Sequence, residues 1–369
     1  MKQHLSLLLL FLGAATPLCA QQMDDVAEHS KYMKAVDEYK PAPGQFINLL
    51  PQYQAGDTEA TMVQKCTESI KKGDMVCLGG YGGYITFHFD HSIANVSGKS
   101  DVLIKGNCTY DGNSEPGIVM VSKDVNHNGL PDDPWYELKG SADVDSVGKV
   151  VYDYTISYSR PTSEEEEPEP SSVSPYITRE KYIPWTDNQG GSGYVCKISY
   201  HTQTYYPQWV EADQITFENR TLLPPNAHNT GNYQHEKWVR EALRWGYVDN
   251  RTTANDENGS FDFDNAVEVV SRQPVALDFV DFIRVYTGVN QFCGWIGETS
   301  TEIVGAEDLH LDESIQRISD ALAGIHVVSG DDQTVSASFT LDGRPCTAGH
   351  RGMQIIRLNN GTTKKLFIK

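Results

Sequence analysis

The stretch Asp124-Val-Asn126-His-Asn128-Gly129-Leu130-Pro-Asp132-Asp133 puts side-chain oxygens at relative positions 1, 3, 5 and 9, with a glycine at position 6. This is the front half of the EF-hand calcium loop, in which hard oxygen donors wrap a divalent cation and the glycine permits the reversal. The expected ligands of Ca2+ are Asp124, Asn126, Asn128, the Leu130 carbonyl, and Asp132 or Asp133. Position 12 is Trp135 where an EF-hand has a bidentate glutamate. Glu137, two residues later, or Glu115, from the preceding turn, is expected to complete the set. Without that glutamate the affinity falls at the weak extracellular end of the range, ~10⁻⁴–10⁻³ M. The bland alternative is an Asx-rich turn that holds no ion.

Other polar groups carry weaker signals. Asp249, Asn250, Asp256, Asn258, Asp262 and Asp264 form a second acidic run with irregular spacing, readable as a cation site or as a solvated loop. Aromatics crowd residues 182–209, where Trp185 stands beside Asp187 and Asn188, followed by Tyr205, Tyr206 and Trp209. Flat apolar faces stack on sugar rings and other planar ligands while carboxylates and amides fix the groups around them; at strand spacing the same aromatics also serve as core and cross-strand pairs. Glu298, three residues after Trp295, is the most distinctive candidate for a carboxyl with a raised pKa, and so for half of a glycosidase pair.

These residues need a β framework. Tyr84–Asp90 and Gly117–Lys123 alternate with period two, and Val102–Ile104, Trp135–Leu138, Val150–Tyr158 and Phe279–Tyr286 read as further strands. The run Gly79-Gly-Tyr-Gly-Gly83 reads as a flexible turn and, with no helix after it, not as a phosphate loop. Short helices are expected at 235–245 and from Glu313 to Leu322. Residues 21–60 look like a polar lead-in, and 162–173, with its run of glutamates and prolines, like a solvated insertion. Many short strands with Gly, Asn and Asp turns indicate a mainly β protein: a jelly-roll-type β-sandwich over 61–310 with a small C-terminal β domain at 324–369.

Residues 1–20 read as a secretory signal peptide, with Lys2, an apolar core from Leu5 to Leu12, and Leu18-Cys19-Ala20 at the cleavage point. Cys19 opens a lipoprotein reading, against which Leu18 is not the small residue expected before a lipidated cysteine. Elsewhere no stretch approaches the ~20 apolar residues of a transmembrane segment. With 50 acidic against 30 basic residues the formal charge is −20, which disfavours nucleic acid and anionic lipid as partners and suits cations. The cysteines show no paired spacing of a zinc cluster. Export permits disulfides, and Cys66 with Cys77 closes the shortest loop.

Two resemblances extend this reading. The ending "LDGR … GMQIIRLNNG … KKLFIK" resembles the C-terminal sorting domain of proteins carried by the type IX secretion system of Gram-negative bacteria, and implies a small β-sandwich read as an export address. The segments "GGYITFHFD", "EPGIVMVSKDVNHNGLPDDPWYELKGS", "WTDNQGG" and "VDFIRVYTGVN … GWIGETSTEI" resemble a group of bacterial cell-surface proteins with a discoidin-like jelly roll. Some members of that group sit beside outer-membrane uptake receptors, including those for cobalamin, so this resemblance implies nutrient capture more than catalysis. The sequence therefore indicates a secreted or surface-attached, calcium-stabilised protein that binds a carbohydrate or a corrinoid-type nutrient. The expected ligand contacts are Trp185, Asp187, Asn188, Tyr205, Tyr206, Trp209, Trp295 and Glu298. The alternatives are a glycan-active hydrolase with a carboxylate pair near Trp295 and a structural envelope protein.

Overall fold

Strands whose side chains alternate between two buried faces dictate a layered structure. A computed structural model describes residues 29–110, 112–165, 171–324, 335–340, 346, 352–358 and 363–368. The expected signal peptide, the start of the lead-in and residues 166–170 of the acidic insertion lie outside them. The chain is mainly β, built from antiparallel sheets in a sandwich arrangement.

The central six-stranded sheet runs, edge to edge, Ala35–Lys40, Tyr84–Ala94, Phe279–Thr287, Gly117–Ser122, Trp135–Leu138 and Ala266–Val267. Its inner strands are covered on both sides. In Gly117–Ser122 every residue is buried: Val119 and Val121 enter one core, Ile118 and Met120 the other. A four-stranded sheet (Gln214–Leu222, Val151–Ser159, Ile177–Asp187, Ser192–Ile198) closes the second core with Tyr154, Ile156, Tyr158, Ile183 and Phe217.

The first core is covered by a helix that the sequence reading missed, Glu59–Lys72. Thr58 caps its first turn by accepting from the Thr61 N–H, and Gly73 ends it in the left-handed region. Met62, Cys66 and Ile70, four apart, are its buried stripe. The helix expected around Glu313–Leu322 is present as Leu311–Gly324.

Several expectations are corrected. The described part of the supposed lead-in is integral: Ala35–Lys40 pairs with Tyr84–His88, and Tyr39, Ala42 and Ile47 are buried. The helix expected at 235–245 is instead a strand, Trp238–Arg240, paired with Ala227–Asn229. There Asn229 accepts from the N–H groups of Gly231 and Lys237, and the buried Arg240 is paired with Glu115, so tertiary contacts override the helical pattern. The Gly79–Gly83 run is packed rather than loose. Gly79 has φ +71, and a Cβ there would strike the Ala42 carbonyl. Cys66 and Cys77 are buried thiols, not a disulfide, and burial pushes both pKa values up.

Beyond the second helix, Val335–Thr340, Gly352–Leu358 and Thr363–Ile368 form a separate three-stranded antiparallel sheet, the small C-terminal β unit. No helix among the described residues is long and apolar enough to cross a membrane.

Candidate functional site

The Asp124–Asp133 loop tops the hairpin in which Ser122 pairs with Trp135 and Met120 with Glu137. Its side-chain oxygens are engaged in hydrogen bonds within the loop. Asp124 accepts from the Asn128 N–H at 3.1 Å and the Gly129 N–H at 2.9 Å. Asn126 Oδ1 accepts from Asn128 N–H at 2.9 Å, and Asn128 Oδ1 from Leu130 N–H at 2.8 Å. Asp132 receives the side-chain amides of Asn126 and Asn128, and Asp133 receives the Val125 N–H at 3.0 Å. His127 (φ 58) and Gly129 (φ 74) supply the left-handed backbone for the reversal. These bonds are those of an Asx-rich turn, and each accepting oxygen keeps a second lone pair that a hard cation could use.

Glu137 does not belong to it. Its carboxylate is fully buried and bonded to Arg272, to the Tyr286 hydroxyl at 2.5 Å and to the Thr221 hydroxyl at 2.6 Å. On strand Trp135–Leu138 that side chain faces the second core, because a step of one residue reverses the face. Glu115 is also committed elsewhere, to Arg240. The carboxylate that does reach the loop is Asp281, which accepts the Asp124 N–H at 2.7 Å and the Ser92 hydroxyl. Burial raises its pKa, and the Asp124 charge acts in the same direction. Asp124, Gly129 and Asp281 line an open cleft of about 320 Å³ together with His88, Asp90 and His91.

The structure disperses the aromatic set. Trp185, Asp187 and Asn188 shape the hairpin between Ile177–Asp187 and Ser192–Ile198. Asp187 accepts from Gln189 and Gly191 N–H and from the Tyr154 hydroxyl, while Asn188 bonds to the backbone of Thr155 and Asp153. Tyr205 and Tyr206 are core residues, at 0% and 2% exposure. Trp209 stacks on Tyr39 at 5.7 Å and Tyr53 at 6.2 Å, against the first core rather than the second.

Among the aromatics expected to contact ligand, Trp295 stands out of the surface, 42% exposed. Its companions are Tyr200, which lies within the aromatic-rich stretch 182–209, and Tyr176, which precedes that stretch. Tyr200, 60% exposed, meets it edge-on at 6.2 Å, and Tyr176 stacks on Tyr200 at 5.7 Å. Phe46 packs on His201 at 4.7 Å beside them. Four separate segments are clamped here: Gln45 donates to the Ile296 carbonyl, Gln203 donates to the Gln45 carbonyl, and Glu236 receives both the Trp295 N–H and the Trp238 indole. Gly294 (φ +57) makes the turn possible, since a Cβ there would collide with Glu236 and the Trp238 ring. The resulting aromatic strip is a fixed, outward-facing platform.

Glu298 leaves the same turn inward. Its Oε1 accepts the Gln45 N–H at 2.6 Å, its Oε2 is buried with no hydrogen-bond partner, and burial pushes its pKa up to about 8. Glu115, Asp249 and Glu302 form a second buried acidic group whose carboxylate oxygens lie within 4.8 Å of one another. Burial raises all three, Glu115 to about 8 and Asp249 to about 6, with Arg240 opposing the shift at both. Nothing in the sequence spacing announces this convergence. Two further carboxylates are engaged in ion pairs: Asp278 with Lys123, and Glu307 with Lys31 and Lys105.

Comparison with protein-family models and with curated proteins finds no match.

Proposed function

We propose that this is a secreted binding protein whose ligand, a carbohydrate or a corrinoid-type nutrient with flat or ring-shaped faces, docks on the Tyr176–Tyr200–Trp295 strip. The observation that carries the reading is that strip itself. Its rings, of which Tyr200 and Trp295 are exposed, come from the ends of one hairpin and from the Gly294 turn, and that turn is held by Gln45 and Glu236. Exposed aromatics in contact, fixed in one orientation, cost little entropy on binding and offer stacking area. Ca2+ in the Asp124–Asp133 loop serves as a brace for the hairpin rather than as a signal, and Asp281 takes the supporting position first expected of Glu137. The link to surface nutrient capture, and to an outer-membrane uptake receptor as partner, rests on the resemblance to cell-surface proteins that sit beside such receptors.

Binding is favoured over glycan hydrolysis because Glu298, the best acid candidate, points beneath the Gly44–Gln45 turn and not onto the strip. The test is a screen of soluble glycans and corrinoids by calorimetry. Saturable binding without turnover, weakened at least tenfold by Trp295→Ala (~1.4 kcal/mol), is expected. Turnover of a glycan that disappears in Glu298→Gln would replace this reading with the hydrolase.

A further inference from the structure

A second cluster, away from the aromatic strip, shares the cleft lined by Asp124 and Gly129 of the calcium loop. His29, Asp90 and His91 each offer one ligand atom, all within 4.8 Å of one another. His29 Nδ1 lies 3.3 Å and His91 Nδ1 2.7 Å from the same oxygen, Asp90 Oδ1. The far side of His91 is equally constrained. Its Nε2 is 2.8 Å from Asp308 Oδ2, and the side chains of both residues are fully buried. Asp308 is itself held by the Ser314 hydroxyl at 2.8 Å and the His310 N–H at 2.7 Å.

This is the arrangement found behind metal-bound imidazoles. A buried carboxylate takes the proton of one ring nitrogen, fixes the tautomer and turns the other nitrogen's lone pair toward the ion. A neutral imidazole has one N–H and cannot donate to Asp308 and Asp90 together. In the neutral ring one of the two contacts lacks a proton, and a cation at Nδ1 would fill it. Two imidazoles with one carboxylate suit a zinc-class ion better than calcium, which prefers oxygen alone. His29 and Asp90 are about one-fifth exposed, and Asp90 and His91 line the 320 Å³ cleft. That leaves an entry path and a side on which a further ligand can bind.

We propose that His29, Asp90 and His91 form a second metal site, for a divalent transition ion of the zinc class, with Asp308 as the positioning residue behind His91. The test is competition of the full exported chain against a chelating dye with Zn2+ alone, repeated with Co2+ for its ligand-field spectrum. One zinc per chain is expected, with Co2+ bands indicating nitrogen and oxygen donors. His29→Ala and Asp90→Asn, both at partly exposed positions, should each weaken zinc by at least the roughly 10–100-fold that loss of a positioning partner costs, with little change in melting temperature. Asp132→Asn, in the calcium loop, should leave zinc binding unchanged. The proposal is overturned if zinc does not bind at about 100 µM, a range where a three-ligand site would be filled. It is also overturned if His29→Ala binds like the parent, or if Asp132→Asn lowers zinc affinity as much as His29→Ala does.

Discussion

Glu298→Gln probes the least favourable electrostatic feature around the aromatic strip. In the folded protein burial holds this carboxyl protonated up to about pH 8, against an ordinary value of 4.5. Between those limits the folded chain carries a proton that the unfolded chain has released, so this residue makes stability fall as pH rises through the window. The full difference corresponds to about 5 kcal/mol at 1.36 kcal/mol per pH unit; local relaxation and water entry bring the expected effect to about 2–4 kcal/mol. Glutamine mimics the protonated acid. Its Oε1 can keep the Gln45 N–H, and its amide replaces an Oε2 that already has no partner. Urea denaturation of both proteins should therefore give nearly equal stabilities at pH 4.5. The variant should become progressively more stable than the parent toward pH 8.5. A difference that does not change with pH, or a variant less stable than the parent at pH 8.5, would refute the reasoning.

Glu137→Ala should cost about 3 kcal/mol or more, because it leaves the half-buried Arg272 with only Asp143 and strips the Tyr286 and Thr221 hydroxyls of their acceptor; thermal melting reads this directly. Trp209→Ala should destabilise by about 3 kcal/mol through loss of the Tyr39 and Tyr53 stacks, while ligand affinity stays as in the parent by titration calorimetry. Calcium at about 10 mM should stabilise by roughly 1.4–2.7 kcal/mol for a site of 10⁻⁴–10⁻³ M, and Asp132→Asn should abolish most of that increment in a thermal-shift measurement.

Much of the β framework was legible because period-two alternation is a local property. Tyr84–Ala94, Gly117–Ser122, Trp135–Leu138 and Phe279–Thr287 all fall where the sequence reading put them. The Glu59–Lys72 helix was also legible in principle, through the Thr58 cap, the four-residue spacing of Met62, Cys66 and Ile70, and Gly73. Its polar composition hid it. The Asp124–Asp133 turn was legible because its conformation follows from its own Asx bonds. Glu137 could not be excluded that way, since which face a strand residue takes depends on the sheet packed over it. The same limit applies to the aromatics. Trp185, Tyr205, Tyr206 and Trp209 form hairpin and core, whereas Trp295 meets Tyr176 and Tyr200, which flank the ends of one hairpin, only because a segment distant in sequence folds onto them.

The central claim is that ligand binds on the Tyr176–Tyr200–Trp295 strip and not at the hairpin that carries Trp185. A parallel titration of the parent, Trp295→Ala and Trp185→Ala with one ligand bound by the parent tests it most directly. The account predicts that Trp295→Ala loses at least tenfold in affinity while Trp185→Ala binds as the parent does once shown to be folded. Retained binding in Trp295→Ala, with loss in folded Trp185→Ala, would contradict it.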